Sequence, residues 1–353
     1  MTAEGPGPWT LVRHADVTAA AGDPATFSSR VSRFLQIPNG LDGAEHARFR
    51  PLVDSFFTPD RMRELEPALR EVAATLVASL PRRARVDAVE LGTTYAVRAT
   101  CVWLGWPAAI EAELLQWMRV NHAATRSGEL ARTREAAEWF DRIIASLARA
   151  RRDAGGSAPD DVTTELLHAT VDGRPLTEEE IVSILRNWTA GDLASMALCV
   201  GVVVRYLADH PDVQTRVRDQ ARDGAALDRA VDEMLRIDDP FVANRRVATR
   251  EVTVDGRRIG PGEVVVLSWT DANRDPARFG DPDAYRPEQN ASDNLVYGTG
   301  PHVCPGRPLA TLELRLLLRE LLAATTWIEP GGATERELPP LGGFRVAPVV
   351  LRG

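Results

Sequence analysis

The stretch YGTGPHVCPGRPLATLELRLLL, residues 297–318, decides how the chain is read. Two glycines, Gly298 and Gly300, precede Cys304, Gly306 follows it, and a leucine-rich helix running to about Ala324 begins at once. Cys304 therefore stands at a helix N-terminus. Unsatisfied N–H groups and the helix dipole there favour a thiolate over a thiol, and flanking glycines let backbone amides come close to the sulfur. A lone cysteine near a helix start is in most proteins an inert packing side chain. The glycine spacing raises the other reading, a sulfur presented as an axial ligand to iron.

Working outward, the 353 residues carry 42 Lys+Arg against 50 Asp+Glu, a net charge of −8, with 44% hydrophobic and 26% charged residues. That is ordinary globular usage. No basic run marks a nucleic-acid footprint, and every basic residue is arginine, so a single arginine carries little information. The longest apolar run, residues 193–204, is short of the roughly 20 residues that cross a bilayer, so no membrane partner is expected. The opening MTAEGPGPW has neither a charged nor an apolar leader region. Cys101, Cys199 and Cys304 lie far apart with no CxxC pair. A reducing, cytoplasmic setting follows.

Apolar residues recur at three and four through residues 45–80, 88–104, 108–124 and 130–153, which predicts packing helices. A loop at residues 155–161 leads to a further helix. LTEEEI then opens the longest helix, with Thr177 as cap, Glu180 three residues on as in a capping box, and periodicity to about Leu207. Some thirty residues span about 45 Å, enough to cross a whole domain. Strand character is scarce: residues 9–12, a hairpin in EVTVDGRRI turning at Asp255-Gly256, and the valine run of GPGEVVVLSW, read as lying beside that hairpin. The prediction is a single domain over residues 1–353, mainly α with a small β region.

The pattern GxGxHxC at Gly298, Gly300, His302 and Cys304, completed by Gly306, is similar to the haem-thiolate loop of the cytochrome P450 family. The resemblance implies that Cys304 is the proximal ligand of a haem b iron, pushing electron density that favours O–O cleavage. Tyr297 stands where the family usually has Phe, which places a hydroxyl near the ligand. Three further segments resemble the family in the right order. Glu233 and Arg236 match its ExxR pair, three residues apart on one helix face, though the third member of that network would fall at Gln289, with Arg286 nearby. His46 and Arg50 in GLDGAEHARFR, Arg246 in NRRVAT, and His302 match four partners of the haem propionates. The likeness runs from Trp9 to the terminal FRV segment, but roughly forty residues of the family's usual opening, a helix and an edge strand, are missing by landmark spacing.

The long helix departs from the family. In TAGDLAS, Ala190 and Gly191 match the small-residue kink that gives oxygen room, whereas Leu193 takes the position of the usual acid and Ala194 that of the usual threonine. Asp192 and Ser195 each stand one residue, about 100° of helical turn, from those places. They serve proton delivery only through a bulge, water or a substrate hydroxyl; otherwise Asp192 is solvated and Ser195 packs.

The resemblance implies a monooxygenase driven by ferredoxin and ferredoxin reductase that oxidises a small or medium-sized specialised metabolite. The altered helix keeps two alternatives open: a peroxide-driven peroxygenase or oxidative coupling enzyme, and a haem-binding protein without turnover. Family topology sets Phe34, Asn187, Trp188, Phe241, Val242, Asn244 and Phe344 around the substrate pocket. Trp, two Phe and Asn suit a partly aromatic molecule. Cys101 and Cys199 are expected to pack.

Overall fold

The computed structural model describes residues 8–81, Arg83 and residues 85–353. Residues 1–7, read above for a leader, lie outside the described residues. The element order is mostly helical, with strands of two to six residues. The expected helix at residues 45–80 is two helices, Gly43–Ser55 and Pro59–Ala78. Thr58 breaks them: it caps the second by accepting from Arg61 N, and Pro59 occupies the first helical turn, where its missing N–H costs nothing.

The long helix is Glu178–Asp209, and its capping box is present in full: Glu180 N donates to Thr177 Oγ1 at 3.2 Å and Thr177 N to Glu180 Oε2 at 2.8 Å. By length and composition this helix could cross a bilayer, yet 67% of its most apolar window is buried inside the protein. It is the core helix. Beside it lies Ala88–Leu104, and two glycines set how close they come. A Cβ on Gly92 would stand 2.8 Å from the Ala197 carbonyl oxygen, and one on Gly201 2.7 Å from Val89 Cγ2. Any larger residue would force the helices apart. The helix behind the cysteine, Arg307–Ala324, packs chiefly on Pro59–Ala78 and also on the long helix, and its inward face is almost all leucine.

Four short strands form the larger sheet in the order Trp9–Leu11, Val264–Ser268, Ala243–Ala248, Phe27–Ser28. Trp9 is paired with Val265 in the parallel edge, and Arg246 is opposite Val265 in the antiparallel ladder. The valine run thus pairs with these strands. The expected hairpin, Val252–Val254 with Arg257–Ile259, is a separate two-stranded sheet turning through positive φ at Asp255 and Gly256. A three-stranded sheet of Trp327–Pro330, Pro348–Arg352 and Arg85–Asp87 closes the far side. Alternation along Ala243–Ala248 puts Asn244, Arg246 and Ala248 on one face, which for the first two is the face of the central cavity.

Candidate active site

A cavity of about 300 Å³ lies between the long helix and the loop that carries Cys304. The loop is built by its glycines. Gly298 and Gly300 have φ of +69° and +74°, a region L-residues avoid, and a Cβ on Gly300 would sit 2.6 Å from the Ala21 carbonyl oxygen. This turns the chain so that Cys304 N donates to Tyr297 O at 2.9 Å and Gly306 opens the helix. Cys304 is accessible from the cavity, its sulfur 3.8 Å from where a Gly306 Cβ would be. Burial pushes its thiol upward, and backbone N–H groups of Gly306 and Arg307 pull it back. The Tyr297 hydroxyl is taken up by Thr311 Oγ1 at 3.3 Å, and the Arg307 guanidinium lies 5.1 Å over its ring.

The ExxR pair is buried and fully used. Arg236 Nε and Nη2 donate to the two Glu233 carboxylate oxygens at 2.8 and 3.0 Å, and Arg236 Nη1 donates to the Asn273 carbonyl at 2.7 Å. Glu233 Oε1 also accepts from Arg286 N at 2.9 Å and Asn290 Nδ2 at 2.7 Å. The third member is therefore Asn290 with a backbone amide, and Gln289 is exposed. The four-residue helix Pro287–Asn290 turns residue 290 inward.

Four cationic or potentially cationic side chains gather at one edge of the cavity. The rings of His46 and His302 lie 4.4 Å apart, and His46 Nε2 is buried with no hydrogen-bond partner among the described residues. His302 Nε2 meets Ser29 Oγ at 3.1 Å and Asp42 Oδ1 at 3.3 Å. Burial and the neighbouring His46 and Arg246 hold His302 down to about 4; burial, then Arg50, lowers His46. Arg246, 8% exposed, donates to the Arg245 carbonyl at 2.9 Å and has no ion-pair partner among the described residues. Arg50 bonds Asp54 at 2.7 Å and the Pro301 carbonyl at 2.8 Å, tying its helix to the cysteine loop. A buried imidazole without a partner and a buried guanidinium without a carboxylate are what an anion brought in by a bound group would satisfy. The donor set fits a haem, whose two carboxylates would meet these side chains while Cys304 faces the iron.

Across the cavity, the long helix presents Trp188, Gly191, Asp192, Ser195, Met196 and Cys199, a single face spaced by three and four. The helix is continuous here, so no bulge is needed to bring Asp192 and Ser195 to the wall. Ala190 and Ala194 are not on that wall, and Leu193 is fully buried elsewhere. Cys199, expected to pack, lines the cavity, whereas Cys101 is buried in its helix with its thiol pushed up to about 12.

Of the seven expected pocket residues, Asn187, Trp188, Phe241 and Asn244 line the cavity and three do not. Phe34 is 58% exposed. The reason is backbone anchoring: Ser183 Oγ donates to Leu35 O at 3.0 Å, Ile37 N donates to Ser183 Oγ at 2.9 Å, and Asn187 Nδ2 donates to Ile37 O at 3.2 Å. With Leu35 and Ile37 turned in, Phe34 is turned out. Val242 contributes its carbonyl to Trp269 N at 2.9 Å rather than a side chain to the wall. Phe344 pairs with Arg336 in a short ladder and lies 4.5 Å beneath its guanidinium. Reading the sequence missed Trp103 and Phe57, whose rings meet Trp188 at 5.4 and 5.7 Å to form an aromatic wall. It also missed Glu313, a carboxyl in the middle of a leucine face, which is the one local signal that could have found it.

The comparisons agree with this architecture. The family model for Cytochrome P450 matches residues 125–348. Cyclomarin C epoxidase CymV of Salinispora arenicola is 32% identical over 342 residues, covering 92% of this chain and 85% of that protein. Erythromycin C-12 hydroxylase of Saccharopolyspora erythraea is 30% identical over 330 residues, 90% and 82% of the two chains. Among solved structures, a mutant of P450 EryK in complex with erythromycin B superposes with a TM-score of 0.87 at 27% identity, covering 98% of this chain and 91% of that one. The chain belongs to the cytochrome P450 family. It is accordingly a haem-iron monooxygenase, an oxidoreductase acting on a small molecule.

Proposed function

We propose that the protein is a single haem domain, working in the cytoplasm, in which Cys304 is the axial ligand of haem b and a specialised metabolite is hydroxylated or epoxidised in the cavity above it. The observation that carries the assignment is one cavity lined by the accessible Cys304 and by Arg246, a buried guanidinium with no carboxylate among the described residues, with the unpartnered Nε2 of His46 buried beside His302 at its edge. When bound, the haem iron would supply activation of dioxygen with two electrons, for which ferredoxin and ferredoxin reductase are the proposed source. The chain's own residues bind, orient and move protons. His46, Arg50, Arg246 and His302 would hold the carboxylates, with the His302 ring braced by Ser29 and Asp42. Gly298 and Gly306 allow amides near the sulfur, and the buried Glu233–Arg236 pair fixes the segment leading to the loop. Gly191 leaves room beside the long helix, while Asp192 and Ser195 hold polar atoms at the wall where a proton is needed.

The substrate reading rests on the wall. Trp103, Trp188, Phe57 and Phe241 offer aromatic faces, and Asn187 and Asn244 offer amides. Trp188 Nε1 is buried without a partner among the described residues, and the Trp188 ring gives the wall its apolar face. A neutral, partly aromatic metabolite with carbonyl or hydroxyl groups fits, in keeping with relatives named as an epoxidase of cyclomarin C and a hydroxylase of erythromycin. Leu193 and Ala194 in place of the family's acid and threonine support peroxide as an alternative oxidant, with oxidative coupling as an outcome of the same site. A haem protein without turnover is the remaining reading.

Absorption spectra of the reduced, carbon monoxide-treated protein test the assignment. The strongly red-shifted carbonyl band of thiolate ligation is expected, and its loss in Cys304→Ala with haem retained. A haem band lacking that shift in the parent protein overturns it. Product formed with hydrogen peroxide alone as fast as with ferredoxin and dioxygen would select the peroxygenase reading.

A further inference from the structure

Two asparagines on separate elements line the cavity and stay exposed: Asn39 in the loop that follows Ile37, and Asn244 in the strand Ala243–Ala248. An amide carries an acceptor and two donors at the tip of one side chain, and the end that faces a ligand is settled by what the other end bonds. For each of these two the protein takes up one end only, and it takes up opposite ends.

The sense of Asn39 is set by a chain of bonds that begins in the long helix. Ser183 is 0% exposed; its hydroxyl accepts from Ile37 N at 2.9 Å and donates to Leu35 O at 3.0 Å, clamping the loop by two bonds. One turn on, Asn187 Nδ2 donates to Ile37 O at 3.2 Å and to Ser183 O at 2.8 Å. With a carbonyl on each side of its nitrogen, Asn187 cannot be reversed without setting oxygen against oxygen. Its Oδ1 is therefore the end that accepts from Asn39 Nδ2, at 3.3 Å. Asn39 Oδ1 is left with no donor among the described residues. At Asn244 the order is inverted. The indole nitrogen of the buried Trp269 can only donate, and it gives its hydrogen to Asn244 Oδ1 at 2.7 Å. Asn244 Nδ2 is left with no acceptor among the described residues.

We propose that Asn39 and Asn244 are specificity-determining residues of opposite polarity, Asn39 accepting from an N–H or O–H of the substrate and Asn244 donating to a carbonyl oxygen. The cavity thereby selects a neutral molecule with an aromatic body that carries one group of each kind. Ser183 and Asn187 are positioning residues, which act through Asn39. The inference deepens the substrate reading above and rests on it, whereas the sense of the two amides is a property of the folded chain.

The experiment is equilibrium binding to the haem-loaded ferric protein with no electron donor, read by the shift of the Soret band and separately by dialysis. The probes are two pairs matched in shape: indole with benzofuran, which exchanges N–H for oxygen, and acetophenone with α-methylstyrene, which exchanges the carbonyl oxygen for methylene. The parent should prefer indole and acetophenone, each by roughly three- to tenfold, the scale of one net hydrogen bond. Asn39→Leu should erase the indole preference and keep the acetophenone one, and Asn244→Leu the reverse. If Asn244→Leu does not fold because Trp269 loses its partner, Asn244→Asp keeps that bond, removes both donors and carries the same test. Ser183 does not line the cavity, so Ser183→Ala should weaken the indole preference alone and add nothing to Asn39→Leu. Equal affinities within a pair in the parent, or a preference that survives its own variant, overturn the assignment of that asparagine. Loss of both preferences in one variant overturns the division of labour, because a change of cavity shape would do the same. No saturable binding of any probe to protein that shows the thiolate carbonyl band overturns the aromatic substrate class. Crossed preferences in a protein lacking that band would leave the two amides standing and remove the oxygen-activating reading.

Discussion

The two walls of the cavity are built on different physical terms. On the cysteine side every group is fixed by backbone geometry or a saturated ion pair: positive-φ glycines, an amide ladder from Tyr297 to Cys304, and a Glu233–Arg236 pair whose oxygens and nitrogens all have partners. On the long-helix side the rotation of the helix decides which side chains reach the wall, and their polar atoms meet single side-chain or loop partners, as Asp192 meets Thr100 and Asn187 meets the Ile37 carbonyl, or none among the described residues, as for Trp188 Nε1. One wall is made to stay still around a cofactor. The other is open to alteration, because a one-residue change swings a side chain by 100° without disturbing the helix.

If that contrast is right, the largest effect of a single substitution should come from the cysteine side and far from the cavity. Arg236→Ala leaves Glu233 buried with its charge uncompensated, since Asn290 and one amide cannot replace a guanidinium. Breaking such a pair costs about 3–5 kcal/mol. Soluble yield, thermal midpoint and haem content should fall together. A variant that keeps its midpoint and haem would show that this wall is not held by the pair.

A smaller loss is expected in the loop itself. Gly300→Ala puts a Cβ 2.6 Å from the Ala21 carbonyl at a φ of +74°, and neither contact can yield without moving the first helix or the loop. Backbone strain of this kind is worth about 1–3 kcal/mol. The thermal midpoint should drop by several degrees, and haem retention should fall further than the midpoint because His302 is two residues away. A drop in midpoint with unchanged haem affinity would separate loop shape from cofactor binding.

The same contrast explains what could be read from sequence. The cysteine side is carried by spacing together with the family resemblance: a left-handed turn demands glycine, which marks Gly298 and Gly300, while Glu233 and Arg236, three apart on a helix face, would by spacing alone read as a surface ion pair and stand out only through the resemblance. The longer helices were legible too, apart from the break at Thr58-Pro59, whereas the short helix Pro211–Asp219 was not expected. Strands of two or three residues, such as Phe27–Ser28 and Arg85–Asp87, have no period to detect. Asn290 was passed over for Gln289 because a four-residue helix has no pattern to reveal its inward side. Glu313 is an acid in a leucine-rich run, and nothing local tells that its carboxylate is buried with no hydrogen-bond partner among the described residues. Phe34 misled for the opposite reason: an aromatic residue in a loop looks like lining until the hydrogen bonds of Leu35 and Ile37 are seen to turn it outward.

The smallest effects address the long helix, and they decide its rotation. Matching the helix to the family by sequence puts residue 194 in the threonine position, yet the wall of the cavity is made by residues 191, 192, 195, 196 and 199. Ser195→Ala should therefore lower ferredoxin-driven turnover by about tenfold, the lower end for a polar group that water partly replaces, with the midpoint unchanged. Ala194→Thr, which restores the family's residue at the family's position, should change turnover by less than about twofold, because a hydroxyl there points away from the wall where Asp192 and Ser195 stand. The ratio of product to released hydrogen peroxide measures both. A gain in that ratio for Ala194→Thr together with indifference to Ser195→Ala would mean that the helix turns by one position when haem binds. The contrast between a fixed and an adjustable wall would then hold in a stronger form, with rotation of the helix itself as the adjustment.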